Sequence, residues 1–225
     1  MADGSLQETY DRIASHFSST REYPWPEVTA FLTEHGPVAD IDPERRTDDV
    51  DRIGLDVGCG NGRHTEPLAD YVDLAVGIDV SRGLLTEAQA RARDRGFEGA
   101  STFLQGDAGR LPIASGTVDL GVYVATLHHL SPRDRRRRSL TELARVLSGD
   151  GIALVSAWST THDRFDRESG FDTTVDWTLP GGETVPRFYH IYDPDEFRAD
   201  LEASPLRVVS FQLSSGNCYG VVRPE

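Results

Sequence analysis

Apolar residues recur along this chain with two different periods, and the switches between them outline the fold. Leu6, Tyr10, Ile13, Ala14 and Phe17 fall at helical spacing and predict a helix over Ser5–Ser18 with one apolar face. Pro24-Trp25-Pro26 opens a second helix carrying Val28, Phe31 and Leu32, with Gly36-Pro37 as its stop. Residues 37–51 lose the periodicity and gather Asp40, Asp42, Glu44, Asp48, Asp49 and Asp51 around Pro43, which reads as an exposed acidic linker. From Ile53 onward strand and helix patterns alternate. Strand Ile53–Val57 precedes a helix near 62–70, and strand Leu74–Ile78 precedes a helix that Ser81 caps and Gly96 ends. Strands Ser101–Leu104 and Val118–Val124 follow. A helix then starts at Ser131-Pro132, turns Leu140, Leu143, Ala144 and Leu147 inward, stops at Gly149, and leads into strand Ile152–Trp158.

This alternation calls for a mostly parallel sheet with helices on both faces. Residues 159–190 break it with Gly170, Pro180, Gly181, Gly182 and Pro186, and predict an insertion over the carboxyl edge of the sheet, where substrate loops belong. A short helix from Asp193-Pro194 and two strands, Arg207–Leu213 and Asn217–Val222, joined by Ser214-Ser215-Gly216, close the chain as an antiparallel pair. The reading is one domain over 1–225, with 1–36 as a helical cap.

Composition narrows the function. There is no run of about 18 apolar residues, so no membrane helix is expected, and the first residues lack a secretory pattern. Cys59 and Cys218 form neither a zinc pattern nor a disulfide framework, so no metal site is expected and the compartment reads as cytoplasmic. The charge of −14, with arginine as the sole basic residue besides histidine, matches the surfaces of proteins from salt-accumulating, halophilic organisms; at molar salt the Debye length is about 3 Å and acidic self-repulsion is screened. An acidic chain from an arginine-favouring genome is the plainer alternative. Excess acid argues against indiscriminate nucleic-acid binding but leaves room for a local basic patch, and Arg133–Arg138 is such a run.

The chemistry starts at Asp56-Val57-Gly58-Cys59-Gly60-Asn61-Gly62-Arg63. Alternate glycines permit a tight turn whose N–H groups would face a ligand at the start of the next helix. A dinucleotide fingerprint needs glycine where Arg63 stands. Three acids then fall at successive strand ends. Asp79 lies about 20 residues past the turn, where a carboxylate can accept both hydroxyls of a ribose. Asp56 orders the turn, and Asp107 follows the third strand.

The G-x-G-x-G turn with its acids resembles motif I of the class I methyltransferases. That resemblance implies a Rossmann-like α/β fold with a seven-stranded, mostly parallel sheet, a final antiparallel strand and helices on both faces. It implies S-adenosylmethionine as cofactor, held by Asp56, Gly58, Cys59, Gly60, Asp79, Val80, Asp107, Ala108 and Val124, with Tyr10 covering it and Asp107 on the adenine amino group. Tyr10–Arg21, Trp25-Pro26, the paired histidines 128 and 129, Arg187–Tyr192 and Gly216–Tyr219 are similar to the tRNA wobble-uridine carboxymethyl methyltransferases, which esterify 5-carboxymethyluridine. The likeness covers nearly the whole chain. It implies a tRNA anticodon loop as substrate and a small zinc-binding activator protein as heterodimer partner, for which the edge strand Ser101–Leu104 is a candidate surface. Candidate substrate-side residues are Arg21 and Arg187 as a carboxylate clamp, His129 after the fourth strand, and His16 and His190. Two alternatives stay open: a methyltransferase of small metabolites, and a non-catalytic binding module of the same fold.

Overall fold

The computed structural model describes residues 3–36 and 52–225; the acidic linker lies outside the described residues. Fifteen helices and strands run in the order α1 (Asp3–Ser19), α2 (Pro26–His35), β1 (Ile53–Val57), α3 (Thr65–Leu68), β2 (Leu74–Asp79), α4 (Arg82–Arg95), β3 (Ser101–Gln105), β4 (Val118–Val124), α5 (Arg133–Val146), β5 (Leu147–Trp158), β6 (Phe171–Thr178), β7 (Thr184–Ile191), α6 (Pro194–Glu202), β8 (Leu206–Ser214) and β9 (Asn217–Pro224). Seven strands form one sheet in the order β3-β2-β1-β4-β5-β9-β8. The pairs from β3 through β5 are parallel, and β9 runs antiparallel to both its neighbours. The order reverses between β1 and β4, and the crevice above that point is where an open α/β sheet takes its ligand.

One apolar cluster holds Leu55, Val57, Ile78, Tyr123, Leu140, Leu143, Val155 and Phe197 on one side of the sheet. A second packs Val28, Phe31 and Leu32 of α2 onto Leu68, Val122, Val124, Leu154 and Tyr219 on the other. The central strands are buried on both faces, which explains their near-continuous apolar runs. Ser81 caps α4 by accepting from the Leu84 N–H, and Gly96 ends it at φ +78°, as the pattern predicts. Asp11 of α1 reaches the same helix end, accepting from the Gly83 N–H and from the Ser81 hydroxyl at 2.9 and 2.7 Å.

Three local expectations change. The helix near 62–70 is a single turn, Thr65–Leu68, because the glycine loop takes up the first residues. Helix α5 ends at Val146 rather than Gly149, since Leu147 turns extended and pairs with Val118. The insertion is not a loop: β6 and β7 form their own antiparallel hairpin, with Val175 opposite Arg187 and Trp177 opposite Val185. Phe171, Thr173, Val175 and Trp177 alternate with Asp172, Thr174, Asp176 and Thr178, a period of two that the threonines disguise. The hairpin packs against α1 through Val185, Trp177 and Leu179 on Tyr10, Ile13 and Ala14. Together they roof the crevice.

Candidate active site

A cavity of about 850 Å³ lies between the carboxyl ends of β1, β2, β3 and β4 and this roof. Its floor is the glycine loop. Gly58, Gly60 and Gly62 take φ of +71°, +55° and +77°. A Cβ on Gly58 would stand 2.1 Å from Thr126 Oγ1, whereas one on Gly60 would meet nothing nearer than the Phe17 ring at 3.8 Å, so Gly60 shows its bare face to the cavity.

The loop does not turn its first N–H groups to the cavity, contrary to expectation. Gly58 and Cys59 donate to the Ile78 carbonyl at 2.7 and 3.0 Å, and Gly60 donates to Asp79 Oδ2 at 2.9 Å. The end of β2 lies close enough to consume them. Asp79 also accepts from the Ser81 N–H at 2.9 Å, so one carboxylate joins the loop to the start of α4. Burial raises its pKa, and these N–H bonds oppose the rise. Asp107 accepts from the Gly109 N–H at 2.7 Å and from Arg135 at 3.0 Å.

Of the expected cofactor residues, Tyr10, Gly58, Cys59, Gly60, Asp79, Val80, Asp107, Ala108 and Val124 all line this cavity. Asp56 does not. Its carboxylate is 1% exposed, faces away beneath the loop, and accepts from the Thr65 hydroxyl at 2.7 Å. Burial pushes its pKa up to about 7. It ties the end of β1 to the start of α3.

Of the substrate-side candidates, Arg21, Arg187 and His129 meet in the cavity. Arg187 is 7% exposed, and its guanidinium lies over the rings of Trp177 and Tyr189 at 4.9 and 5.2 Å. Its Nε has no hydrogen-bond partner, and no carboxylate pairs with it among the described residues. Arg21 lies over Phe17 and Trp177, each at 5.3 Å, and its guanidinium donates to the adjacent Thr20. Burial, with Arg187 nearby, lowers its pKa.

His129 is held at both ring nitrogens. The Phe188 carbonyl at 2.9 Å can only accept, so Nδ1 carries the proton; Nε2 then accepts from the Tyr10 hydroxyl at 2.8 Å. Burial lowers its pKa to about 3. The imidazole is neutral at physiological pH and both its lone pair and its proton are committed. His128 is buried and accepts from the Trp158 N–H.

His16 and His190 fall outside the cavity, which corrects their assignment. His16 accepts from the Trp177 indole at 3.1 Å, behind the roof. His190 lies between Asp172 and Glu196 at 2.7 and 2.9 Å and ties the hairpin to α6. It is three residues from Arg187 on a strand and therefore on the opposite face. The arginine run on α5 is also not an open patch. Arg133 and Arg137 both bond Asp200, Arg135 bonds Asp107, and Arg136 is buried, donating to the Leu130 carbonyl. Residues the sequence reading passed over include Tyr189, Trp177, Thr126 and Arg63, all of which line the cavity. No group of residues able to hold a metal occurs among the described residues. No helix among them is long and apolar enough to cross a membrane.

A switch-point crevice floored by a glycine loop, with one carboxylate at the end of β2 and another just past β3, defines a nucleoside-binding α/β enzyme. Residues 55–155 match the methyltransferase domain family. The tRNA (carboxymethyluridine(34)-5-O)-methyltransferase of Saccharomyces cerevisiae is 33% identical over 187 residues, covering 81% of this chain and 59% of that protein. A methyltransferase-family protein of Encephalitozoon cuniculi is 32% identical, covering 95% of this chain and 92% of its own. In fold, the CcbJ methyltransferase of Streptomyces caelestis superimposes with a TM-score of 0.72 at 15% identity, over 98% of both chains. The chain belongs to the class I methyltransferases, which take S-adenosylmethionine as methyl donor.

Proposed function

We propose that the protein esterifies the carboxylate of 5-carboxymethyluridine at the wobble position of tRNA. The observation that carries this reading is Arg187, a buried guanidinium that lines the cavity and forms no ion pair among the described residues, in a chain of net charge −14. A buried cation left unpaired is costly, and an anionic ligand offsets that cost. The activity for which the yeast relative is named acts on such an anion.

The residues fit the cofactor. Asp79 receives the ribose hydroxyls, Asp107 the adenine amino group, and Gly60, Val80, Ala108 and Val124 line the bed between. S-adenosylmethionine supplies an electrophilic methyl group when bound. The chain has to place a nucleophile about 3–3.5 Å from that methyl and in line with it. A carboxylate is already ionised at neutral pH and needs no general base, and the neutral, doubly bonded His129 is consistent with that. Arg187 and Arg21 orient the acid through charge-assisted N–H bonds while leaving one oxygen free to attack. His129 fixes the Tyr10 hydroxyl, and the aromatic roof excludes water.

A zinc-binding activator protein is proposed as partner, seated on β3. That strand is a sheet edge with Leu104 37% exposed, a surface that accepts another strand. A chain that is fully active when expressed and purified alone sinks that part. The main reading is tested by mass spectrometry of tRNA nucleosides from a deletion strain. The expected result is accumulation of the unesterified wobble acid, restored to ester by the wild-type chain and not by Arg187→Ala. An unchanged nucleoside profile sinks it.

A further inference from the structure

We propose that Arg63 holds the carboxylate at the amino-acid end of the bound cofactor, which leaves Arg187 free for the acid being methylated. The part concerning Arg187 rests on the function proposed above; the part concerning Arg63 rests only on the family's cofactor. Four arginines line the cavity without a carboxylate partner among the described residues: Arg21, Arg63, Arg164 and Arg187. The reaction brings two carboxylates into the same space, one on the methyl donor and one on the acceptor.

Arg164 stacks over Trp158 at 5.9 Å. Of the other three, Arg63 has Arg21 as its main cationic neighbour, and Arg21 has Arg187. Arg63 directly follows Gly62 of the cofactor loop, and its guanidinium is stacked 5.1 Å over the Trp25 ring. Arg187 lies on the opposite wall, in the roof hairpin, over Trp177 and Tyr189. Asp79 stands at the end of β2 and Asp107 just past β3, so they would hold the adenosine end of the cofactor, and Gly60 of the loop would face its amino-acid end. The cation waiting at that end is Arg63.

The acids near Arg63 are committed elsewhere. Asp56 accepts from Thr65, and Glu66 pairs with Arg91 and Arg95. Burial and the neighbouring Arg21 press the guanidinium's pKa down to about 10. A planar cation held on an indole face keeps its outward N–H edge available for two parallel bonds to a carboxylate.

The test compares two ligands that differ only at that end. S-adenosylhomocysteine carries the amino-acid group, and 5′-methylthioadenosine lacks it. Isothermal titration is run on the full chain and on Arg63→Gln, Arg63→Lys, Arg21→Gln and Arg187→Gln. The loss of one charge-assisted pair is expected to weaken S-adenosylhomocysteine by about 10- to 100-fold in Arg63→Gln. Arg63→Lys restores part of the loss, and methylthioadenosine affinity stays within about 2-fold throughout. Arg187→Gln leaves both ligands unchanged. Equal weakening of both ligands by Arg63→Gln overturns the assignment, because it marks a damaged loop. So does a loss that appears in Arg21→Gln and not in Arg63→Gln. A failure of the tRNA reading leaves this ligand comparison unaffected, so the two outcomes are separable.

Discussion

Two sets of arginines behave differently in this molecule. Those on α5 have partners: Arg133 and Arg137 share Asp200, and Arg135 meets Asp107. Four others that line the cavity, Arg21, Arg63, Arg164 and Arg187, stack on aromatic rings and form no ion pair among the described residues. In a chain with 37 acids and 23 bases, a basic group on the surface has many counter-charges within reach. An unpaired cation inside is therefore more informative than a run of paired cations outside. Clustering in sequence pointed to α5, and pairing in space points to the cavity.

That contrast can be broken at several depths. The largest effect is expected from Arg187→Ala, about 100-fold or more in single-turnover methyl transfer to 5-carboxymethyluridine tRNA, with S-adenosylhomocysteine affinity unchanged. A loss confined to KM would make Arg187 a general docking residue. Asp79→Ala comes next. It removes the proposed ribose acceptor and frees the Gly60 and Ser81 N–H groups, so S-adenosylhomocysteine binding is expected to fall about 30-fold or more and the melting temperature to drop. Retention of wild-type affinity would overturn the ribose assignment.

His129→Gln is expected to cost about 10-fold in rate through a loosened Tyr10. The pH dependence has a definite sign. The folded pKa of His129 is about 3, below its ordinary 6.5, so its contribution to stability is full above pH 6.5 and is lost as pH falls toward 3. Urea titrations from pH 7 to 4 should show that loss in the wild type and a smaller one in His129→Gln. A rate profile with a histidine step near pH 6.5 that His129→Gln abolishes contradicts the neutral assignment. The smallest effect is expected from Arg137→Ala: tRNA affinity within about 2-fold and a slightly lowered melting temperature, since Arg133 still pairs Asp200. A large fall in affinity with a changed salt slope would restore α5 as an RNA surface.

Most of the sheet was legible, because buried parallel strands ending in Gly, Asp or Ser punctuate the sequence plainly. The cavity floor was legible for the same reason: Asp79 and Asp107 fall at or just past strand ends, and strand ends face the crevice. The substrate wall was only half legible. Arg187 and His190 were picked together, yet in a strand they face opposite ways; the neighbour sharing a face with Arg187 is Tyr189. Recognising β6–β7 as strands would have exchanged His190 for Tyr189 and brought in Trp177. Asp56 misled differently. It precedes Val57, which lines the cavity, so its own side chain points to the other side of β1. Arg63 was noticed for the glycine it replaced, and its chemistry became visible only when no acid stood beside it.

The bond from Asp11 to α4 carries a consequence for timing. The roof helix supplies the acceptor for the Gly83 N–H and for the Ser81 hydroxyl, so it completes from 70 residues away the cap that Ser81 begins. Any movement of α1 away from the crevice would therefore free the Gly83 N–H and the Ser81 hydroxyl, beside the carboxylate of Asp79, and the amides in the first turn of α4 would report it. Their hydrogen exchange should slow when S-adenosylhomocysteine is bound and quicken in Asp11→Ala, reporting how often the enzyme opens.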